Sequence, residues 1–184
     1  MSVASAARRG VGILVLGALT TVGTGCMSNG LPTVPAVRAV DLPRFMGAWY
    51  VIASIPSYPE RNAYDAVESY ELRSDGRIQT TFRYRKGSFD APLKTMHPVG
   101  SVVPGTGNAV WGMQFIWPIK AEYVISYLDP GYSETIIARS RRDYAWIMAR
   151  TPQIPEAAYA ADVERLRAMG YDVSKLRKVP QSPR

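Results

Sequence analysis

The apolar residues between positions 47 and 150 fall into eight short runs, each separated from the next by a turn-forming segment. Two of the runs, YDAVESYELR and RIQTTFRYR, largely alternate apolar with polar side chains, as expected of a strand with one buried face. The breaks between runs, such as SDG, PGTGN and DPGYS, are rich in residues that favour tight turns. The pattern therefore predicts eight short strands in series.

Eight strands joined by short turns favour an up-and-down antiparallel barrel, because closure of the sheet leaves no exposed edge. A barrel of this size is just wide enough to hold one small ligand. The segment after the last strand predicts one helix, with Pro155 at its first position and Gly170 at its end. Its apolar face, with Tyr159, Val163 and Leu166, is expected to pack on the outside of the barrel. The alternative is a helix that lies on a membrane. The predicted fold class is all-β with one C-terminal α-helix.

The N-terminal part of the chain has the pattern of an export signal. Two arginines precede the apolar run VGILVLGALTTVG, which is shorter than a membrane-spanning helix requires. The small residues Thr24 and Gly25 join the run to Cys26, the only cysteine in the chain, so an internal disulfide is excluded. We expect a signal peptide over residues 1–25, a flexible tether over residues 26–40 and the folded domain over residues 41–184.

The net charge of +7 is spread along the chain rather than gathered in one basic tract. This excess suits an anionic surface or ligand and gives no indication of nucleic-acid binding. The single histidine, His97, cannot form a two-histidine metal site, and no P-loop, GxGxxG or GxSxG motif is present. Glu68 and Glu71 are interpreted as scattered surface carboxylates. We therefore expect no metal, no cofactor and no enzymatic activity.

Four motifs in combination resemble those of the lipocalin family. They are GAWY at the first strand, YELRSDGRI at the second hairpin, YVISYLDPGY at the sixth strand and RDYAWIMARTP at the eighth. The bacterial outer-membrane lipocalins and the apolipoprotein D group are the most similar branches, and the resemblance covers roughly residues 40–179. It implies that Gly47, Trp49 and Arg150 form a structural plug at the closed end of the barrel, where a guanidinium stacks on an indole.

Cys26 also resembles the lipobox cysteine of bacterial lipoproteins, whose thiol receives a diacylglycerol, with palmitate among its acyl chains, and which becomes the mature N-terminus. The family favours Leu three residues before the cysteine, and Gly23 stands there. Ordinary secretion with Cys26 as a free thiol is the alternative. Met27, rather than Asp, follows the cysteine, which implies sorting to the outer membrane. The expectation is a monomer or weak homodimer, lipid-anchored in the bacterial outer membrane at its periplasmic face.

Strand parity predicts which side chains line the barrel, because alternate residues of a strand face the same side. If Trp49 points inward, alternation along the first strand predicts that Ala53 also points inward. The fifth strand is predicted to turn its large apolar residues, including Trp117, to the interior. On the sixth strand the resemblance places Val124 inward, whereas Tyr123 and Tyr127 form the better apolar stripe. The residues predicted to bind ligand are Tyr70, Phe82, Tyr84, Trp111, Met113, Phe115, Val124, Tyr144, Trp146 and Met148.

An interior rich in aromatic residues and methionine suits an apolar ligand. The resemblance implies a protein that binds or transports a fatty acid, a lysophospholipid or a similar amphiphile for maintenance of the cell envelope. Tyr or Arg side chains near the opening, such as those of Arg83 and Arg85, are candidates to receive the head group. The alternatives are an enzyme that acts on a lipid, and an interaction protein whose barrel is filled by its own aromatic residues.

Overall fold

The structure is a computed structural model that describes Met1 and residues 32–182. Cys26, the predicted signal peptide and the first part of the predicted tether lie outside the described residues. The elements are α1 (Leu42–Phe45), β1 (Gly47–Ile55), β2 (Ala63–Leu72), β3 (Ile78–Lys86), β4 (Leu93–Met96), β5 (Val99–Val102), β6 (Val110–Ile116), β7 (Ile119–Leu128), β8 (Glu134–Ala138), β9 (Ala145–Ala149), α2 (Glu156–Ala168), a 3-10 turn (Val173–Lys175) and β10 (Arg177–Lys178).

The strands form one antiparallel sheet that closes into a barrel. Successive strands are neighbours, and β1 also pairs with β9, which joins the two ends of the sheet. Both β4 and β5 pair with β3, so together they form a single barrel strand that is interrupted at His97 and Pro98. The barrel therefore has eight strands, and β10 adds a short segment beside β1. The predicted eight-stranded up-and-down barrel is confirmed.

Two hydrophobic clusters stabilise the fold. The larger cluster fills the barrel interior, and the second lies between the outer barrel wall and α2. Strands β1 and β6–β9 supply both clusters, because alternate side chains of a strand face opposite sides of the sheet, whereas β2–β5 supply only the interior cluster. Among the described residues, all buried members of both clusters lie between Val34 and Val179, so this part of the chain supplies both clusters.

Helix α2 packs on the outside of the barrel, as the sequence predicts. Leu166 is fully buried, and Tyr159 and Val163 pack against the same cluster. The Arg165 guanidinium carbon lies 3.9 Å from the centroid of the Tyr127 ring on the barrel wall. No helix in the described part of the chain is long and apolar enough to cross a membrane.

Residues 32–40 differ from the free tether that the sequence predicts, because they pack along the barrel. Val34 and Val40 are buried. The Val34 amide donates to the Ser140 hydroxyl over 3.2 Å, and the Val40 amide donates to the Gly107 carbonyl over 2.8 Å. The segment therefore runs from one end of the barrel to the other.

The two ends of the barrel differ in their covering. At the closed end lie α1 and the connections over residues 73–77, 103–109 and 129–133. The open end carries the loops over residues 56–62, 87–92 and 139–144 and the β6–β7 hairpin. We call these open-end loops, with the strand residues next to them, the rim.

Candidate ligand-binding site

The closed end of the barrel is sealed by Trp49 and Arg150. Trp49 is fully buried, and its indole nitrogen donates a 2.8 Å hydrogen bond to the Phe45 carbonyl. The Arg150 guanidinium carbon lies 3.8 Å from the centroid of the Trp49 ring, which is the geometry of a cation–π interaction. The same guanidinium donates to the backbone carbonyls of Arg44, Phe45, Met46 and Ala48. This end is thus fixed by the guanidinium and closed to a ligand.

Gly47 allows the chain to turn into this plug. Its φ is +92°, a conformation that side chains with a Cβ rarely adopt. A Cβ there would also lie 3.4 Å from Nη1 of Arg150. The glycine therefore permits both the turn and the close approach of the guanidinium.

A column of aromatic rings continues from the plug into the lower half of the barrel. The Phe45 centroid lies 4.9 Å from that of Trp49 and 5.5 Å from that of Trp111. The Trp111 ring stacks on Tyr123 at 5.5 Å, and Tyr123 lies 6.2 Å from Trp146. Because Phe45, Trp49 and Trp111 have no exposed surface, the protein's own side chains fill the lower half.

The upper half of the barrel holds a cavity of about 330 Å³ that opens at the rim, and we call it the calyx. This volume is at the lower end of the range for ligand pockets, roughly 300–1,000 Å³. Most of the wall is apolar, with several carboxylates and one arginine. The lining residues are Ser57, Pro59, Glu60, Glu68, Phe82, Met96, Met113, Phe115, Ala121, Glu122, Tyr123, Arg139, Tyr144 and Trp146.

A buried polar cluster lies at the calyx: Glu60, Glu68 and Tyr123 line the cavity, and Tyr70 is buried in the interior cluster. Glu68, on β2, is only 6% exposed. The Tyr70 and Tyr123 hydroxyls are hydrogen-bonded to each other, and either can be the donor. Glu60, in a rim loop, accepts a 2.9 Å hydrogen bond from the Ser57 amide. The calyx therefore combines an apolar wall with acids and phenols.

Burial governs the charge of this cluster, because desolvation disfavours the ionised form of an acid. Burial raises the pKa of the Glu68 carboxyl to about 8; a hydrogen bond with Tyr70 opposes the shift and the charge of Glu60 adds to it. Burial also raises the pKa of Glu60, and it holds the pKa of Tyr70 and Tyr123 well above the ordinary tyrosine value. At neutral pH Glu68 is therefore mainly protonated and can donate a hydrogen bond.

Arg139 is the cation of the calyx wall, directly after β8. Its side chain is 14% exposed, and its Nη1 lies 3.3 Å from the Asp143 carboxylate. The guanidinium carbon lies 5.1 Å from the centroid of the Tyr144 ring. Its Nε is buried and has no hydrogen-bond partner among the described residues. Since an unpaired buried donor is costly, and Arg139 lines the calyx, this side chain is the candidate partner for an acceptor that enters the cavity.

The residues predicted to bind ligand divide into three groups. Those that line the calyx are Phe82, Met113, Phe115, Tyr144 and Trp146. Those that are buried in the interior cluster without lining the calyx are Tyr70, Tyr84, Trp111 and Met148. The last, Val124, lies on the other side of the sheet. The head-group candidates Arg83 and Arg85 do not line the calyx, since Arg83 is exposed and Arg85 lies beside Asp65.

Three predicted orientations were wrong. Val124 belongs to the cluster under α2, and Tyr123 faces the interior instead. Ala53 also lies on the helix side, because the pairing of β1 with β9 shifts register between Val51 and Ala53. Trp117 lies beyond the end of β6 in the hairpin and is 82% exposed.

Sequence reasoning also missed the polar lining residues Ser57, Glu60, Glu68, Glu122 and Arg139 of the calyx. Glu68, interpreted as a surface residue, is buried, and a signal for this was available: it lies two residues before Tyr70 and so shares its inward parity. Glu60 and Arg139 lie outside the strands, where parity gives no information. Within residues 32–182, no group of three or more potential ligand side chains is placed to hold a metal ion.

Comparison with known proteins gives concordant matches. A family model described as "Lipocalin-like domain" matches residues 40–181. The chain is 34% identical over 163 residues to temperature-induced lipocalin-1 of Arabidopsis thaliana, which covers 79% of this chain and 82% of that protein. It is 27% identical over 176 residues to the outer membrane lipoprotein Blc of Escherichia coli K12. This match covers 92% of this chain and 97% of the Blc protein.

Among solved structures, insecticyanin from the tobacco hornworm Manduca sexta superposes with a TM-score of 0.65 at 17% sequence identity. The superposition covers 83% of this chain and 86% of insecticyanin. At this identity the likeness concerns the fold, and it agrees with the closed barrel and external helix described above.

Proposed function

Because the chain belongs to the lipocalin family, we propose that its calyx binds a small lipid-like amphiphile, such as a fatty acid or a lysophospholipid. Binding is non-covalent. The acyl chain lies against Phe82, Met113 and Trp146 in the calyx wall, where each buried CH₂ contributes about 0.8 kcal/mol. Since the lower half of the barrel is filled, a long chain inserts in part, with its methyl end first, and its remaining methylenes and head group lie at the rim beside Arg139.

The observation that carries this proposal is an apolar cavity with one arginine whose buried Nε lacks a partner. Arg139 is suited to receive a carboxylate or phosphate head group, because charge-assisted hydrogen bonds are the strong ones. The raised pKa of Glu68 favours the same ligand class. While Glu68 is protonated, it adds no negative charge that would repel an anionic head group.

A fluorescence titration tests the proposal. The chain from residue 26 onward, with Cys26→Ser, retains the whole barrel and is titrated with a monomeric lysophospholipid and a long-chain fatty acid. We expect saturable quenching or enhancement of tryptophan emission that is lost in Trp146→Phe and kept in the matched control Trp117→Phe. No saturable response in a folded barrel would favour the filled-barrel alternative. Conversion of the lipid to a new product would favour an enzyme.

The head-group assignment has its own test. Arg139→Gln should weaken fatty-acid binding about tenfold or more, because a hydrogen bond to a charged group contributes about 1.5–3 kcal/mol. The affinity for a fatty alcohol of equal length should change little. Arg141→Gln is the matched control, since Arg141 lies in the same loop and is exposed. Equal losses for acid and alcohol would contradict the assignment.

We further propose that Cys26 is acylated and anchors the protein at the periplasmic face of the outer membrane, as a monomer or weak homodimer that serves envelope maintenance. The lipobox-like sequence and the name of the Blc relative support this location. Expression of the full chain in a bacterium with labelled palmitate tests it. The label should enter the wild type and be absent from Cys26→Ser, and the labelled protein should fractionate with the outer membrane.

A further inference from the structure

The rim concentrates the exposed apolar surface of the described part of the chain. Six large apolar side chains there are at least 39% exposed: Tyr58, Phe89, Leu93, Phe115, Trp117 and Ile119. Elsewhere within residues 32–182, only Leu72 and Val103 reach such exposure. Trp117 at 82% and Ile119 at 70% project from one hairpin. An apolar patch of this kind on a polar surface marks an interaction site.

Cations accompany these apolar side chains. The exposed basic residues of the rim include Arg61, Lys86, Lys94 and Lys120. None of these four forms an ion pair with another described residue. The acids Glu122 and Asp143 are half-buried and already bonded to Ser140 and Arg139, which leaves Asp90 as the exposed acid of the loops. The rim is therefore both apolar and positively charged.

The path of the N-terminal segment places the anchor at the same end. The Pro32 carbonyl accepts a hydrogen bond from Arg142, and the Val34 amide donates to Ser140; both partners belong to the 139–144 rim loop. Six Cα–Cα steps separate Cys26 from Pro32, so an acyl group on Cys26 lies at most roughly 20 Å from the rim. The closed end is a further strand length away, about 30 Å for the ten-residue β2.

We propose that the rim docks on an anionic lipid bilayer, so that the calyx opens towards the membrane. Trp and Tyr side chains favour the headgroup level of a bilayer, and basic residues are attracted to anionic lipids. Phe115 belongs both to the exposed rim and to the calyx wall, so an acyl chain would pass from the bilayer into the calyx over an apolar surface. The argument from the anchor rests on the proposed acylation of Cys26, whereas the argument from the rim does not.

Vesicle sedimentation with the unacylated Cys26→Ser chain tests the docking of the rim itself. We expect binding to vesicles of phosphatidylglycerol and phosphatidylcholine in equal parts, and much weaker binding to phosphatidylcholine alone. The double variant Trp117→Asn with Ile119→Asn should lose about tenfold or more of its affinity for the anionic vesicles, because the exposed apolar area of the hairpin is lost. The matched control, Leu72→Asn with Val103→Asn, removes exposed apolar surface at the closed end and should bind like the parent.

The electrostatic part is tested with Lys94→Gln combined with Lys120→Gln. This variant should lose about tenfold in affinity for anionic vesicles and little for neutral ones, and added salt should weaken the binding of the parent. Equal binding by the rim and closed-end variants, or no binding of the parent to anionic vesicles, would overturn the proposal. Self-association that the rim variant abolishes, without vesicle binding, would assign the rim to a second copy of the chain instead.

The rim variants also separate this inference from the proposed function. Circular dichroism establishes that each variant is folded, and titration with monomeric lysophospholipid reports on the calyx. Vesicle binding without lysophospholipid binding would leave the docking in place and refute the lipid calyx. Lysophospholipid binding without vesicle binding would refute the docking alone.

Discussion

Replacement of Glu68 by Gln should change how the stability of the fold depends on pH. Glu68 is buried in the calyx wall, and its pKa rises from an ordinary 4.5 to about 8, mainly through burial. Gln has nearly the same shape and stays neutral, so it resembles the protonated acid at every pH. The variant therefore removes the titration while it keeps most of the packing.

The sign follows from proton linkage. Between pH 4.5 and about 8, the folded state holds a proton on Glu68 that the unfolded chain has released. Stability is therefore lost as the pH rises through this interval. Within this interval the free energy of unfolding falls by up to about 1.4 kcal/mol per pH unit. Above pH 8 the Glu68 contribution that has been lost amounts to about 5 kcal/mol. Glu60 and Asp162, whose pKa values burial also raises, act in the same direction. The difference between wild type and variant therefore reports Glu68 together with its coupling to Glu60.

Urea unfolding followed by circular dichroism at several pH values measures the effect. We expect Glu68→Gln to match the wild type at about pH 5 and to exceed its free energy of unfolding by several kcal/mol at about pH 8. Glu71→Gln is the control, because Glu71 is exposed on the same strand, and it should follow the wild type throughout. Parallel pH profiles for Glu68→Gln and the wild type would refute the assignment of a buried, protonated carboxyl.

Three further substitutions test the packing. Arg150→Ala should cost about 3 kcal/mol or more in urea unfolding, because four backbone carbonyls lose a charged donor and Trp49 loses its stacked guanidinium. A cost under about 1 kcal/mol would contradict the plug. Gly47→Ala should reduce the free energy of unfolding by about 1–3 kcal/mol, because a residue with a Cβ is strained at the φ of +92° found there. A lower Tm measures this loss. Leu166→Ala should cost about 2–5 kcal/mol while lipid affinity stays unchanged, because Leu166 lies outside the barrel; a parallel loss of affinity would show that α2 shapes the calyx.

The barrel and its helix follow from alternation, turn residues and length, because these depend on the local chain. The proposed plug follows from motif resemblance, and the structure brings Trp49 and Arg150 together at the closed end. Strand parity predicts side-chain orientation correctly where strand pairing is regular. On β3, for example, Phe82 and Tyr84 face the interior as predicted. It failed at Ala53, where a shift of one residue in the pairing turns the following side chains to the opposite face.

The polar part of the calyx was harder to predict for a different reason. Glu68 was assigned to the surface because acids are rarely buried, although its parity with Tyr70 indicated the interior. The positions of Glu60 and Arg139 depend on how loops fold over the open end, and no periodic pattern encodes that. The extent of filling in the lower half depends on the packing of Phe45 against Trp111, a contact between distant parts of the chain.

The central claim, that an acyl chain occupies the calyx, is tested most directly by a fatty acid with bromine at the end of its chain. Bromine quenches tryptophan emission only at close range, and Trp146 lines the calyx. We predict saturable quenching that falls sharply in Trp146→Phe and persists in Trp117→Phe. Quenching that is unchanged by Trp146→Phe, or that disappears in Trp117→Phe, would place the chain outside the calyx and contradict the account.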